Sequence, residues 1–163
     1  MIVHNLVVDY GLAMPDDTTL DQQVCFALYS ASRAVTAAYR TLLADLGVTY
    51  PQYLVLLVLW EHDGRGVCEL GEVLDLDSGT LSPLLKRLAA LGLIDRRRLA
   101  TDERRVQIRL TAAGSALRER SYDIPRRLAL ATGLSGPELE QLRVTLMRVR
   151  DTLHDPHHSE ELS

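Results

Sequence analysis

At 163 residues the chain suffices for one domain, or for one protomer whose helices are completed by a partner, and 47% hydrophobic residues support a true core. One Phe and one Trp leave that core to Leu, Val and Ala, a composition that suits helices, while the longest apolar run, Tyr53 to Trp60, falls far short of the roughly 20 residues of a membrane span. The net charge of −4 argues at first against a polyanionic partner, and the two cysteines, Cys25 and Cys68, form neither a C-x-x-C pair nor a secreted disulfide framework.

The N-terminal arm, residues 1–17, contains no Lys or Arg, includes Asp9 and shows no small-residue cleavage pattern, so it does not read as a secretory signal and a cytoplasmic location is expected. Thr18 or Thr19 then caps a long helix running toward Leu46, with Val24, Leu28, Ala31, Val35 and Leu42 at three- and four-residue steps and Gly47 as its stop. Thr49, Pro51 and Gln52 form a capping box that opens a second helix through Trp60, apolar nearly all round and therefore buried. Asp63 to Gly66 is a turn and Val67 to Leu74 a short helix; Asp77 or Ser78 caps the next helix, which ends near Leu91. Short helix, turn and longer helix make a helix-turn-helix.

Gly92 ends that helix, and the chain re-enters an extended run through Arg96, Arg97 and Arg98, turning around Ala100 to Glu103. Val106, Ile108 and Leu110 alternate with Gln107 and Arg109, a period of two that fits the returning strand of a hairpin. Thr111 caps the following helix, and the Ser135 to Glu138 capping box starts the last one, running to about Leu153. Leu139, Leu142, Leu146, Val149 and Leu153 give it an apolar stripe that another helix must cover, from the same core or, the preferred reading, from the twin protomer of a homodimer. The expected fold is mainly α with a small β-hairpin wing: residues 18–153 form a single winged helix-turn-helix domain, in which 18–48 and 111–153 dimerise and 49–110 bind nucleic acid. Residues 154–163 are a polar tail.

Charge distribution restores a nucleic-acid partner. Between Lys86 and Arg109, eight basic residues outnumber Asp95, Asp102 and Glu103, and a local positive face recruits phosphate because salt screens beyond about 8 Å. Ser78, Thr80 and Ser82 lie at the N-terminal end of the candidate recognition helix, where short polar side chains meet base edges in a major groove. Lys86 and Arg87, farther along, suit phosphates, the lesser alternative being a solvated helix face. At the hairpin tip Arg104 or Arg105 is placed to enter a minor groove, with Asp102 orienting Arg104. Pro83 breaks a local rule, since it removes a hydrogen bond to Gly79 inside this helix at a typical cost of ~3 kcal/mol.

Cys25 lies within the first two turns of the long helix and Tyr29 four residues on, so they share a face. Tyr39 shares it too but stands roughly 21 Å along the axis, too far to meet its own Cys25. If two such helices cross in a dimer, Tyr39 of one chain approaches Cys25 of the other and Tyr50 joins it; phenol hydroxyls and a helix N-terminus both stabilise a thiolate, the form that peroxides oxidise. Against this, an isolated cysteine on an amphipathic helix is most often a small buried hydrophobe. Cys68 has no such neighbours and reads as structural, and the histidines show no metal-ligand spacing, so neither metal nor cofactor is expected.

From about Asp21 to Leu153 the chain resembles the multiple-antibiotic-resistance regulator (MarR) family, and within it the organic-hydroperoxide resistance regulator (OhrR) branch. The resemblance is carried by QVCFALYSASR at Gln23 to Arg33, TYPQYLVLLVLWEH at Thr49 to His62, LDSGTLSPLLKRL at Leu76 to Leu88, and TDERRV with its D-x-R at Asp102 and Arg104. It implies a homodimeric winged-helix repressor of a pseudo-palindromic operator in double-stranded DNA, with Cys25 as a thiol that senses organic hydroperoxide and Tyr29, Tyr39 and Tyr50 as its network. Some members of the branch carry a second cysteine near the C-terminal helices. None stands there in this chain, so it resembles the single-cysteine type, in which a low-molecular-weight thiol caps the sulfenic acid before the operator is released. Two other readings remain: a MarR-type repressor that responds to a small aromatic ligand with an inert cysteine, and a thiol peroxidase. The enzyme reading lacks any group to recycle Cys25 and leaves the winged helix unexplained.

Overall fold

A computed structural model describes residues 19–99 and 102–155, with side chains described at 19–97 and 106–155. The chain parts into two compact units between Val35 and Thr36, within the first long helix. In the N-terminal unit Thr19 precedes a single 3-10 turn, Leu20–Gln22, without a side-chain cap, and α1 (Val24–Leu42) begins only at Val24. The expected capping of the long helix by Thr19 is thus corrected, Thr18 lies outside the described residues, and Cys25 becomes the second residue of α1.

The C-terminal unit takes up α1 from Thr36. The helix stops at Leu42, short of the expected Leu46, because Ala44–Leu46 tighten into a 3-10 turn before Gly47 reverses the chain in the left-handed region at φ 69°. Thr49 N–H donates to Gln52 Oε1 at 2.8 Å, fixing the start of α2 (Tyr50–Glu61) as the capping box requires. Tyr53, Val55, Leu56 and Leu59 are at most 1% exposed, so this all-round apolar helix is the centre of the core. Around it stand α3 (Val67–Leu74) with Leu70, α4 (Ser78–Ala90) with Leu81, Leu85 and Leu88, and α5 (Ala112–Ser121) with Leu117, all buried.

Where a turn was expected, Arg65–Gly66 form a short strand, β1, antiparallel to β3 (Asp102–Leu110), which also pairs with β2 (Ile94–Leu99). The wing is therefore a three-stranded sheet in the order β1-β3-β2, with Arg65 and Arg96 both opposite the buried Ile108. Its register holds from Ile94↔Leu110 to Arg98↔Val106 and then shifts to Leu99↔Asp102. Two residues are too few for any periodic signal, and β1 exists because β3 offers it an edge.

The helix expected after Thr111 is two helices. Thr111 Oγ1 accepts from Gly114 N–H at 3.0 Å and caps α5 as predicted; the chain then breaks at Tyr122–Asp123 and α6 (Ile124–Ala131) starts afresh with Pro125 in its first turn, where a missing N–H costs nothing. Ser135 N–H donates to Glu138 Oε2 at 2.7 Å at the head of α7 (Gly136–Leu153). His154, assigned to the tail from sequence, ends this helix and stands 3.5 Å from Asp75. On α7, Leu142, Leu146, Val149 and Leu153 are exposed. No helix of the described residues is long and apolar enough to cross a membrane.

Candidate nucleic-acid interface and thiol site

Helix α4 is pinned on one side and open on the other. Leu81, Leu85 and Leu88 are at most 1% exposed, while Ser78, Thr80, Ser82, Lys86 and Arg87 are all exposed on the remaining face. Asp77, the N-cap, takes Thr80 N–H on Oδ1 and the Thr80 hydroxyl on Oδ2, each at 2.9 Å. Those two bonds hold the Asp77 carboxyl below the usual carboxylate range. They also engage the hydroxyl proton of Thr80, which leaves its oxygen free to act only as an acceptor. That division of labour between Asp77 and Thr80 was legible in the i,i+3 spacing yet was missed.

Pro83 does not interrupt α4. At 100° per residue, Gly79 and Pro83 lie on the side opposite the leucine ridge, and both are exposed. The Gly79 carbonyl that loses its helical donor therefore faces solvent, which supplies a replacement and lowers the penalty of an interior proline.

In the wing, Asp95, Arg96 and Arg97 are exposed and Asp95 lies 3.9 Å from Arg97, so β2 presents charge outward. The base of the sheet is tied to the end of α2 by Leu110 N–H donating to Asp63 Oδ1 at 2.8 Å. Strand β3 carries Asp102, Arg104 and Arg105, but the side chains of these three candidate DNA contacts lie outside the described residues.

The N-terminal unit places Cys25 exposed in the first turn of α1 and Tyr29 one turn on, also exposed. Arg33, which sequence reasoning missed although its i,i+4 spacing from Tyr29 was visible, donates from Nη1 to Tyr29 Oη at 2.9 Å with its guanidinium 5.5 Å from the ring centroid. In the C-terminal unit Tyr39 stacks on Tyr50 at 4.1 Å and 17°, with Tyr53 6.0 Å from Tyr39 and Trp60 edge-on to Tyr53. Burial, reinforced by the neighbouring Tyr50 and Tyr53, pushes the Tyr39 phenol up to about 12; burial also raises Tyr50 and Tyr53. These phenols thus keep their protons throughout the physiological range and remain donors. Tyr53 and Trp60 extend a cluster of which only Tyr39 and Tyr50 were expected. Cys68, read as structural, is exposed at the second residue of α3.

A short helix, a turn and a longer helix with an open polar face, followed by a charged three-stranded wing, define a winged helix-turn-helix of the DNA-binding class. The family model "Transcriptional regulator SarA/Rot" matches residues 37–120. The chain is 48% identical over 139 residues to the organic hydroperoxide resistance transcriptional regulator of Bacillus subtilis, covering 85% of this chain and 95% of that one. It is 49% identical over 147 residues to the HTH-type transcriptional regulator TtmR of Methylorubrum extorquens, covering 90% and 75%. The DNA-bound structure of reduced AbfR, a protein of Staphylococcus epidermidis, superposes with a TM-score of 0.70 at 35% identity over 82% of this chain and 92% of that one; AbfR is also known overoxidised on DNA and with a disulfide formed. The chain belongs to the MarR family of winged-helix transcriptional regulators, in its organic-hydroperoxide resistance branch, and is a DNA-binding regulator, not an enzyme.

Proposed function

We propose that the chain works in the cytoplasm as a homodimeric repressor that releases a pseudo-palindromic operator when Cys25 is oxidised by an organic hydroperoxide. The observation that carries this reading is Cys25 itself, exposed in the first turn of α1 with the Tyr29 phenol one turn away, where a core cysteine would be sealed among aliphatics. The name of the Bacillus subtilis relative and the oxidised forms of AbfR support it. A second copy covering the apolar stripe of α7 supplies the two-fold that a pair of recognition helices needs.

In the reaction, the Cys25 thiolate attacks the distal oxygen of the hydroperoxide. An S–O bond forms, the O–O bond breaks, and the departing alkoxide takes a proton to leave as an alcohol, so sulfur loses two electrons and the peroxide gains them. Tyr39 and Tyr50 of the partner subunit serve as phenol donors to that sulfur, and a low-molecular-weight thiol then condenses with the sulfenic acid, expelling water. The added bulk displaces the dimerisation helices and changes the spacing of the two α4 helices. On DNA, Ser78, Thr80 and Ser82 meet base edges, Lys86 and Arg87 meet phosphates, and Asp102, Arg104 and Arg105 form the tip of the wing.

Operator binding by Cys25→Ser tests the reading: affinity is retained and the response to cumene hydroperoxide is lost. A variant that still lets go of DNA on oxidation refutes the sensor assignment, and slow alkylation of the wild-type thiol at Cys25 would favour a small-ligand regulator instead.

A further inference from the structure

Cys25, Tyr29 and Arg33 succeed one another at one-turn intervals on α1. A helical side chain leans toward the N-terminus and covers the turn preceding its own Cα. Arg33 accordingly lies over Tyr29, donating to its oxygen at 2.9 Å and standing 5.5 Å from its ring; by the same geometric rule the Tyr29 side chain inclines toward the turn that carries Cys25. The hydrogen bond has a direction. Arg33 has only donors, so the phenol oxygen accepts and the phenol proton stays free for another acceptor. A hydroxyl that accepts from a cation becomes a stronger donor through the shared oxygen.

We propose that Arg33 is a positioning residue for peroxide sensing: it fixes the Tyr29 phenol over the first turn of α1 and polarises it, so that its O–H serves the oxygen chemistry at Cys25 of the same chain. This rests on the sensing role of Cys25 put forward above. As the Cys25 sulfur takes the distal oxygen and the O–O bond breaks, negative charge collects on the departing alkoxide oxygen. The Tyr29 O–H stabilises that charge, solvent delivers the final proton, and the guanidinium keeps the phenol in place through its second contact with the ring. Neither Arg33 nor Tyr29 is consumed.

The experiment uses the full-length protein and cumene hydroperoxide as probe, with sulfenic acid at Cys25 trapped by a dione and counted by mass spectrometry, so that the rate is read on the thiol and not on DNA. Arg33→Met, which keeps length and removes the donor, is expected to slow oxidation about fivefold; Arg33→Lys, which can still donate and remains cationic, recovers at least half of that loss. In a Tyr29→Phe background Arg33→Met adds nothing further, because the group through which it acts is gone. Operator affinity of every reduced variant stays within about twofold of wild type, which a variant damaged in folding would fail. A wild-type oxidation rate in Arg33→Met, or an equal slowing in the presence and absence of the Tyr29 hydroxyl, overturns the proposal. A Cys25 that oxidises normally yet leaves the operator bound overturns the sensing reading alone.

Discussion

Gly114, the third residue of α5, offers the sharpest test of the packing. Its φ is not in the positive region, so glycine is kept here for space: a Cβ would stand 2.0 Å from the Leu93 carbonyl oxygen, 3.0 Å from the carbonyl carbon and 3.2 Å from Leu110 Cδ2. Reaching even a close carbon–oxygen contact of about 3.3 Å requires the two backbones to part by more than an ångström. Leu93 O also accepts from Thr111 N–H at 3.1 Å, and Gly114 O accepts from Trp60 Nε1 at 2.9 Å, so the parting weakens both bonds. Overpacking of this kind costs roughly 1–3 kcal/mol and each weakened bond about 1 kcal/mol, against up to about 1 kcal/mol gained from alanine's helix propensity. The expected net loss in Gly114→Ala is about 2–4 kcal/mol, which lowers Tm by roughly 5–15 °C for a chain of this size. Thermal unfolding followed by circular dichroism, with urea titration for the free energy, measures it. Gly114→Ala unfolding at or above the wild-type temperature would mean that α5 does not approach Leu93 as described, and the wing's placement would need revision.

Alkaline titration addresses the phenol cluster. Tyr39 ionises at about 12 in the fold against 10.0 unfolded, so its contribution to stability is complete below pH 10 and disappears as pH climbs through the folded value. Tyr39→Phe should therefore postpone alkaline unfolding, and tyrosinate absorbance that rises fully at ordinary pH with the fold intact would contradict the buried stack. On DNA, Lys86→Ala is expected to weaken operator and random sequence alike and to reduce the salt slope by about 1, as a phosphate contact does, while Ser82→Ala narrows the gap between them by about 1 kcal/mol; fluorescence anisotropy at several salt concentrations separates the two. Leu146→Asp places a charge in the exposed stripe of α7, and sedimentation should then show a shift from dimer to monomer; a variant that stays dimeric removes α7 from the interface.

What the sequence revealed depended on how local each cause is. Capping at Thr49, Asp77, Thr111 and Ser135 is decided within four residues, and each of these helix starts fell where the side-chain chemistry put it. The alternation of Val106, Ile108 and Leu110 located β3 for the same reason. Failures mark places where a distant segment decides: β1 is a strand only because Ile108 and Gln107 come from elsewhere to pair with it. The break at Tyr122 was partly visible, since Pro125 announces a first turn, yet the buried Ser121 and Ile124 that bracket it acquire meaning only from the core they face. At the thiol, spacing linked Tyr29 to Cys25 but could not tell which way the phenol's hydrogen bond runs, and that direction is what the proposed role of Arg33 rests on.

The same close approach at Gly114 bears on how a signal would reach DNA. Thr111 donates its hydroxyl to Gly92 O at 2.6 Å, accepts from Gly114 N–H, and gives its own N–H to Leu93 O; Trp60 bonds Gly114 O, and Asp63 takes Leu110 N–H. These bonds join the loop after α4, the end of β3, the start of α5 and both the last turn and the exit of α2 at one place. Leu93, Ile94 and Ile108, all buried, fill the space beneath them. A junction so braced has little freedom to hinge, since turning the wing against α5 would break several bonds together in a packed interior. The recognition helix is locked to it in turn through the leucine ridge against α2. Under the proposed mechanism, strain applied to α5 from a rearranged dimer interface would therefore move α4 and the wing as one body, and the operator would be released by a changed distance between two intact reading heads, with no need for either to unfold.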